Sequence, residues 1–335
     1  MRDGHRATRR LFVSGLAATG AGTSLGLAAA RAQSDPAQGF PAKPIRIIVG
    51  FAPGGGNDIL ARIIAQKLSE RLGQPALVEN KPGAGAMIAT EFVAKAAPDG
   101  YTLLVGATGA MTINPAVYSK LPYDTLRDFV PIALIASFPL LLCVKADAGA
   151  RTVSELVAYS KANPAQANYA SSSAAFQLAT ELFKQKTGAP IEHIAYKSSG
   201  EMVTAVVGGE VLLALADAPA VAGHIKSGRI RALATTASER MRDYPEVPTM
   251  AEAGVADLDL RLWSGLFAPA ATPEGIVEKL AKELTQIIGL AEVRERLIGL
   301  AVDPGGGPRA ALAARIAAEI PRWTRIAKAA NIKLD

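Results

Sequence analysis

Residues 45–58 read IRIIVGFAPGGGND and follow the order of a buried strand, a glycine-rich loop and the start of a helix. The apolar run Ile45–Val49 predicts the strand. A helix is predicted after it because leucine or isoleucine recurs every four residues, at positions 60, 64, 68 and 72. Asn57 or Asp58 is the expected N-cap, and Gly73 is the expected stop signal. This unit is typical of an α/β protein.

Similar units recur along the chain. Short apolar runs predict strands at residues 101–105, 168–170, 191–196 and 211–216. Helices are expected after a capping box at Thr152, after the serines that end at Ser173, after Thr272, and across residues 308–330, with a kink at Pro321. We interpret the apolar stretches 130–144 and 260–268 as strands that cross between two lobes. The first stretch is too short and too interrupted by proline to span a membrane.

Composition excludes several protein classes. The chain has 335 residues, of which 50% are hydrophobic and 20% charged, so it is not a mostly disordered protein. The single cysteine, Cys143, excludes an intramolecular disulfide and a multi-cysteine metal site. The three histidines lie at positions 5, 193 and 224 and leave little material for histidine chemistry.

The first 32 residues have the features of an export signal. Arginines at positions 2, 6, 9 and 10 precede an uncharged stretch rich in Ala, Gly and Leu, and Ala30-Arg31-Ala32 fits a cleavage pattern. We therefore expect a signal peptide over residues 1–32, cut after Ala32, and a periplasmic mature protein. The pair Arg9-Arg10 resembles a twin-arginine signal, although the general secretory route remains open. An uncleaved anchor is the alternative, and it is less favoured because the apolar stretch is only weakly hydrophobic.

The positive charge of the chain belongs mainly to this segment. Residues 1–32 hold five arginines and one aspartate, so they account for four of the six net positive charges. The remaining net charge of +2 provides no basic stripe, and we expect no nucleic-acid partner.

Motifs for catalysis and cofactor binding are absent from the sequence. It contains no phosphate-binding P-loop, no dinucleotide fingerprint, no HExxH zinc motif and no GxSxG nucleophile elbow. We expect His193 to be a structural residue in an apolar strand, His224 to be a solvated helix residue and Cys143 to be a buried, inert thiol. No enzyme activity, cofactor or metal is therefore expected.

Two loops that precede helices are suited to binding an anion. Residues 53–56 carry almost no side chains, so their backbone N–H groups can approach a ligand at the start of the helix. Residues 171–173, three serines, add hydroxyl donors at the start of a second helix. Each pattern is also ordinary capping chemistry. Together, on two lobes that face one cleft, they favour reversible binding of a carboxylate.

The order of short motifs resembles the substrate-binding proteins of tripartite tricarboxylate transporters, also called Bug receptors. The resemblance covers nearly all of the chain after the export signal. It rests mainly on these segments: FPAKPIR at 40–46, FAPGGGND at 51–58, VENKPGAG at 78–85, APDGYTLL at 97–104, NYASS at 168–172 and VPTMAEAG at 247–254.

The resemblance implies a two-lobed, periplasmic-binding-protein-like fold of type II, in which each lobe is a mixed sheet flanked by helices. We place lobe 1 at residues 40–142 plus 264–335 and lobe 2 at 143–263, with the ligand cleft between them. Its partners would be a small organic acid and the membrane permease subunits of the transporter, and the receptor is expected to be a monomer. The implied ligand-binding residues are Phe51, Ala52, Pro53, Gly54, Gly55, Asn57, Asp58, Ser171 and Ser172. The loops 83–87 and 106–110 are weaker correspondences and add Met87 and Thr108. Ser173, Ser198 and Asp217 complete the predicted ligand-binding set.

Departures from the family pattern indicate an unusual cleft. The loop after Ser172 is about two residues shorter by that comparison, which places Phe176 and Gln177 where the family has a histidine. Asp217 stands where the family commonly has asparagine, and Leu212 replaces a frequent aspartate. The identity of the ligand therefore cannot be transferred from a relative.

The predicted function is an extracytoplasmic receptor that closes on a small carboxylate by hinge motion and performs no chemistry. Two alternatives remain open. A periplasmic hydrolase on the same fold would need a nucleophile and a base within hydrogen-bonding distance. A receptor of the same kind could instead present its ligand to a sensor kinase.

Overall fold

The computed structural model describes residues 37–329 and 332–334. The expected signal peptide and its cleavage site lie outside these residues. The strands are β1 (Ile45–Val49), β2 (Ala76–Asn80), β3 (Thr102–Ala107), β4 (Phe129–Lys145), β5 (Asn168–Ser171), β6 (Glu192–Ala195), β7 (Leu213–Asp217), β8 (Ile230–Thr235), β9 (Arg261–Pro269) and β10 (Asp303–Gly306).

Helices flank these strands. The α-helices are α1 (Gly56–Leu72), α2 (Met87–Ala94), α3 (Asn114–Val117), α4 (Thr125–Asp128), α5 (Val153–Ala162), α6 (Ala174–Thr187), α7 (Ser199–Gly208), α8 (Ala218–Lys226), α9 (Glu274–Gly289), α10 (Ala291–Ile298) and α11 (Arg309–Ala329). None of the helices in the described ranges combines the length and the apolar character that crossing a bilayer requires.

The fold is a two-lobed α/β structure, as the sequence predicts, and strand β4 links its sheets. In the first part, β1 pairs in parallel with β2 and β3, and β9 runs antiparallel between β3 and β4. In the second, β5 pairs in parallel with β6 and β7, while β7 and β8 pair antiparallel with β4. Residues 129–139 of β4 contact β9, and residues 140–145 contact β7 and β8.

The stretch predicted as several crossing strands is one continuous strand of 17 residues. Its change of partners between Pro139 and Leu140 lies close to the predicted boundary at residue 143. The return stretch, predicted at 260–268, is β9 and pairs with the first part of β4. The division into residues 40–142 plus 264–335 and residues 143–263 stays a proposal.

The parallel strands bring several loops to one edge. Strands β1, β3, β5 and β7 each end in a loop or turn that leads into a helix, and β6 leads into α7. In open α/β sheets such carboxyl ends form the ligand crevice. The topology therefore gathers the glycine-rich loop after β1, the serines after β5 and Asp217 at the end of β7.

The only cysteine of the chain provides a test of this packing. Cys143 lies in the middle of the sheet on β4 and is fully buried, and burial also raises the pKa of its thiol. A buried thiol that resists ionisation reacts slowly because the thiolate is the nucleophile. We expect no labelling by Ellman's reagent in buffer and one equivalent in denaturant. Stoichiometric labelling of the native protein would contradict the position assigned to β4.

Candidate functional site

The glycine loop, residues 50–55, joins β1 to α1. Gly54 has φ +86°, a left-handed conformation that glycine adopts without strain. Helix α1 begins at Gly56, and its N-cap is Gly55, which has no side chain to offer. The predicted cap at Asn57 or Asp58 is therefore wrong, because the glycines allow the helix to start two or three residues earlier. The first-turn N–H groups of α1 are left without a side-chain cap of their own.

Asp58 holds this loop in place from within the first turn of α1. Its carboxylate accepts hydrogen bonds from the Gly54 N–H at 3.0 Å, Arg62 Nε at 2.9 Å and Asn80 Nδ2 at 2.9 Å. Burial opposes ionisation, but the bonds from Arg62, Gly54 and Asn80 outweigh it and lower the pKa of Asp58. Both carboxylate oxygens already have partners, so the side chain acts as a brace for the loop.

Asn57 and Thr108 contact strand β9. Asn57 Oδ1 accepts a hydrogen bond of 2.6 Å from Ser264 Oγ. Thr108 Oγ1 accepts from the Trp263 N–H at 2.7 Å and donates to the Trp263 carbonyl at 3.1 Å. These two predicted ligand residues therefore connect α1 and the end of β3 to β9.

Phe51 and Met87 pack with apolar neighbours. Phe51 is buried in the main hydrophobic cluster. Met87, the first residue of α2, is half-buried against the cluster around Trp263 and Phe267. Their side chains are placed by core packing, although the backbone beside them belongs to the loops at the cleft.

The glycine loop makes a close contact with the start of α7. The Gly56 N–H donates to Ser199 Oγ at 3.2 Å, and the Ala52 N–H donates to the Lys197 carbonyl at 3.2 Å. A Cβ atom at Gly55 would lie 3.1 Å from Ser199 Oγ, and one at Gly56 would lie 2.8 Å from Asp217 Oδ1. These distances explain why residues without side chains occupy this turn.

The carboxyl group of Asp217 packs against the backbone of Gly56. It is the N-cap of α8, where its Oδ1 accepts from the Ala220 N–H at 3.1 Å. Its other oxygen, Oδ2, is buried and has no hydrogen-bond partner. Burial raises the pKa of this carboxyl to about 6, against the smaller opposing effects of Ser199 and the Ala220 amide. Ser198, predicted with it, caps α7 by accepting from the Glu201 N–H at 3.2 Å.

The serine loop, residues 171–173, provides a second group of donors. Ser171 Oγ lies 2.6 Å from His193 Nε2. Ser172 Oγ is buried and has no partner, and Ser173 is the N-cap of α6 without a side-chain capping bond. Gly85 and Gly109 face this loop, and a Cβ at Gly109 would lie 3.4 Å from Ser173 Oγ.

A cavity of about 280 Å³, which we call the serine-loop cavity, separates these elements. Three short stretches and four single residues form its walls: residues 83–86, 171–174 and 195–197, with Gly50, Tyr118, Gln177 and His193. Ala84 and Ala86 have φ values of 46° and 74°, which are strained for residues that carry a Cβ atom. Such strain is concentrated at functional sites.

The predicted site residues therefore fall into four groups. Ser171, Ser172 and Ser173 line the serine-loop cavity. Pro53 and Gly54 line a neighbouring cavity of about 530 Å³ together with Gly200, Ala220 and His224. Ala52, Gly55, Ser198 and Asp217 form the contact between the glycine loop and α7, and the others pack away from the cavities.

Sequence reasoning missed three residues of this region: His193, Lys197 and Ser199. His193 lies on β6, an edge strand whose residues are mostly exposed, and its ring packs against Tyr169 with 5.1 Å between the ring centroids. Burial lowers the pKa of His193. The nearby Glu181 has a smaller opposite effect, and Lys184 lowers the pKa slightly further. Ser199 follows a capping serine, and only its distant contact with Gly56 marks it. Within the described ranges, no group of three or more His, Cys, Asp or Glu residues could hold a metal ion.

Comparison with known proteins assigns the family. The sequence profile described as "Tripartite tricarboxylate transporter family receptor" matches residues 60–332. The chain belongs to this family of periplasmic solute-binding receptors. It is similar to BugT of Bordetella pertussis, with 36% identity over 298 residues that cover 88% of this chain and 91% of BugT. The resemblance inferred from the short motifs is thereby confirmed.

Solved structures of the receptor family have the same fold. One is similar over 88% of this chain and 99% of its own, with a TM-score of 0.85 and 35% identity, and is described as "R. palustris Rpa4515 with adipate". MatC from Rhodopseudomonas palustris, described with bound malate, covers 86% of this receptor and 99% of its own chain, with a TM-score of 0.83 and 32% identity.

Opposite pH dependences are expected for the two buried aspartates of this receptor. The pKa of Asp58 is lowered by folding, so its stabilisation is present above about pH 4 and is lost as the pH falls through the folded-state value. Asp58→Asn should therefore lower the free energy of unfolding by about 2 kcal/mol at pH 7, and by less at pH 3.

Asp217 should behave in the reverse way. Its pKa is raised to about 6, so the folded protein loses stability relative to an Asp217→Asn variant as the pH rises from about 4 to 6. The relative loss should approach about 3 kcal/mol, since one pKa unit corresponds to about 1.4 kcal/mol. Urea unfolding of both variants between pH 3 and 7.5 measures these differences. Slopes of the same sign would show that one of the two environments is incorrectly described.

Proposed function

We propose that this receptor captures a small organic carboxylate by hinge closure and delivers it to the permease of a tripartite tricarboxylate transporter. The carboxylate would lie in the serine-loop cavity, between the loop at residues 83–86 and the start of α6. The capture step is reversible binding without a change in covalent bonds.

The observation that carries this proposal is the unpartnered hydroxyl of Ser172 at the start of α6. Its Oγ atom is buried without a hydrogen bond, an arrangement that costs free energy unless a ligand supplies the partner. Ser173 leaves the first-turn N–H groups of α6 without a side-chain cap. Neutral donors at the positive end of a 14-residue helix favour a carboxylate.

The size of the cavity supports a small ligand. Pockets for drug-sized molecules have volumes of about 300–1,000 Å³, and the serine-loop cavity lies just below that range. The descriptions of two similar structures name adipate and malate as their ligands. Both are short organic acids, which supports this ligand class for the present receptor.

Hinge closure is supported by the nature of the contacts between the glycine loop and α7. They consist of a few hydrogen bonds, such as Ala52 N–H to the Lys197 carbonyl and Gly56 N–H to Ser199 Oγ. Contacts of this kind can separate and re-form without unfolding either sheet. Strands β4 and β9 would carry the hinge, since β4 is the strand common to both sheets.

Export is the remaining part of the proposal. We propose that residues 1–32 direct the chain to the periplasm and are removed after Ala32. The family assignment supports this, because its members bind solutes in the periplasm.

The hydrolase alternative is favoured by one observation, the distance of 2.6 Å between Ser171 Oγ and His193 Nε2. A nucleophile and a base at this distance are two parts of a catalytic triad. In the part of the chain that the structure describes, no carboxylate hydrogen-bonds to the other ring nitrogen of His193. The nearby Glu181 instead accepts from Tyr169 Oη and Lys184 Nζ. The Ser171–His193 pair therefore supports hydrolysis less strongly than the unpartnered donors at the start of α6 support ligand binding.

Loss of the Ser172 hydroxyl should weaken ligand binding. We expect Ser172→Ala to lower affinity about five- to tenfold for the tightest ligand in a panel of carboxylic acids of two to six carbons, as measured by calorimetry. Ser160→Ala is the matched control, because Ser160 is also buried but bonds to the Leu156 carbonyl within α5. Equal affinity of the two variants would exclude Ser172 from the site. If no acid binds the wild-type protein, the proposed function is wrong.

The hydrolase alternative has its own test with p-nitrophenyl acetate. We expect the wild-type protein, Ser171→Ala and His193→Gln to release p-nitrophenol at the same slow rate, because the pair lacks the third group that orients the base. Turnover that disappears in both variants but persists in Ser160→Ala would contradict a role limited to binding.

A further inference from the structure

Two helix N-termini at this site are candidate positions for an anion. Helix α1 begins at Gly56 with 17 residues, and α6 begins at Ala174 with 14 residues. Neither helix has a side-chain capping hydrogen bond from its N-cap residue, since Gly55 has no side chain and Ser173 makes no such bond. Two open positions of this kind would suit a ligand with a carboxylate at each end.

The position at α1 is already filled by the protein. Both carboxylate oxygens of Asp217 lie within 2.9 Å of the place that a Cβ atom on Gly56 would take. The Gly56 N–H is also used, since it donates to Ser199 Oγ at 3.2 Å. A second carboxylate at this end would meet a negative charge and a donor that is already engaged.

The position at α6 has no such occupant. Ser172 Oγ is buried without a partner, and the backbone of Gly85 faces the start of the helix, where a Cβ would lie 3.9 Å from the Ala174 N atom. The two helix starts therefore differ in a way that their sequences do not show.

We propose that Asp217 acts as an internal anion at the start of α1 and thereby restricts the ligand to a single carboxylate group. The inference rests on the proposed function, because it names the class of acid that the same receptor takes. It also predicts a difference from the similar structures whose descriptions name adipate and malate, which are dicarboxylates.

The charges around the cavity agree with a monocarboxylate. Lys197 lines the serine-loop cavity, whereas no Asp or Glu does so. One carboxylate on the ligand would balance this ammonium group. A second carboxylate would find no further ammonium or guanidinium group there, because Lys197 is the one Lys or Arg among the residues that line the cavity.

The groups around Asp217 act on its ionisation from four elements. The groups that face it are Ser199 from α7, the Ala220 N–H from α8, Gly56 from α1 and Cys143 from β4. No Lys, Arg or His of the described ranges forms an ion pair with it. Burial raises its pKa to about 6, so the carboxylate form predominates at pH 7.5.

The experiment compares acids of equal length at pH 7.5 by calorimetry: hexanoate with adipate, and butanoate with succinate. We expect the wild-type receptor to bind the monocarboxylate of each pair at least tenfold more tightly than the dicarboxylate. In Asp217→Asn the ratio should fall at least threefold, because the amide removes the charge and keeps the size. Asp217→Ser is a second variant, since serine also caps helices and lacks the charge.

Asp147→Asn is the matched control. Asp147 is exposed and lies just after β4, which ends at Lys145. Asp217 instead pairs with Leu140 in the interior of β4. The ratio of monocarboxylate to dicarboxylate affinity in Asp147→Asn should equal that of the wild type. The inference is overturned if the wild type binds adipate or succinate as tightly as its partner acid, or if the charge-removing variants that fold keep the wild-type ratio. Tighter binding of the dicarboxylates would contradict this inference but leave the proposed function intact. If none of the four acids or of the wider panel binds, both the inference and the proposed function are wrong.

Discussion

The site depends on the close approach of Gly56 to Ser199 and Asp217. At this point the first residue of α1 meets the starts of α7 and α8, and the available space is smaller than a methyl group. A side chain at Gly56 would push Asp217 away, and one at Gly55 would crowd Ser199. The shape of the neighbouring serine-loop cavity follows from this contact, because it sets how near the glycine loop and residues 195–197 can come.

The two buried aspartates near this contact show how surroundings decide the use of a charge. Asp58 is surrounded by donors, Arg62 among them, so its ionised form is stabilised and fixes the loop. Asp217 has one backbone donor, a smaller favourable effect of the Ser199 hydroxyl and an oxygen without a partner, so burial opposes its ionisation. The same side chain, in two places close to the start of α1, supports the structure in one case and stores electrostatic free energy in the other.

Local patterns in the sequence predict local structure well and contacts between distant residues poorly. The helix of α1, its end at Gly73 and the capping box at Thr152 and Glu155 follow from spacing and are confirmed. The candidate site is different, because Phe51, Met87 and Thr108 share motifs with the glycine loop and other predicted ligand-binding loops while their side chains pack elsewhere. Ser199 and Gly56 are 143 positions apart, and no periodicity links them. The predicted N-cap of α1 is wrong for a related reason. Helix-capping preferences do not reveal that the hydroxyl of Ser199, distant in sequence, accepts a hydrogen bond from the Gly56 N–H.

An unpaired buried carboxylate oxygen is rare in folded proteins because it costs free energy that an amide or an apolar group would avoid. Among the described residues, Asp217 Oδ2 is the carboxylate oxygen in this condition, and it lies against Gly56 at the start of α1. Sites where a chain departs from the rules of stable packing tend to be functional ones. A charge whose only role was to cap α8 could be replaced by serine or asparagine, which cap equally well without the burial of a charge. The presence of a carboxylate at this position is therefore best explained by its negative charge. That charge would repel a ligand with a second carboxylate more strongly than a ligand with one.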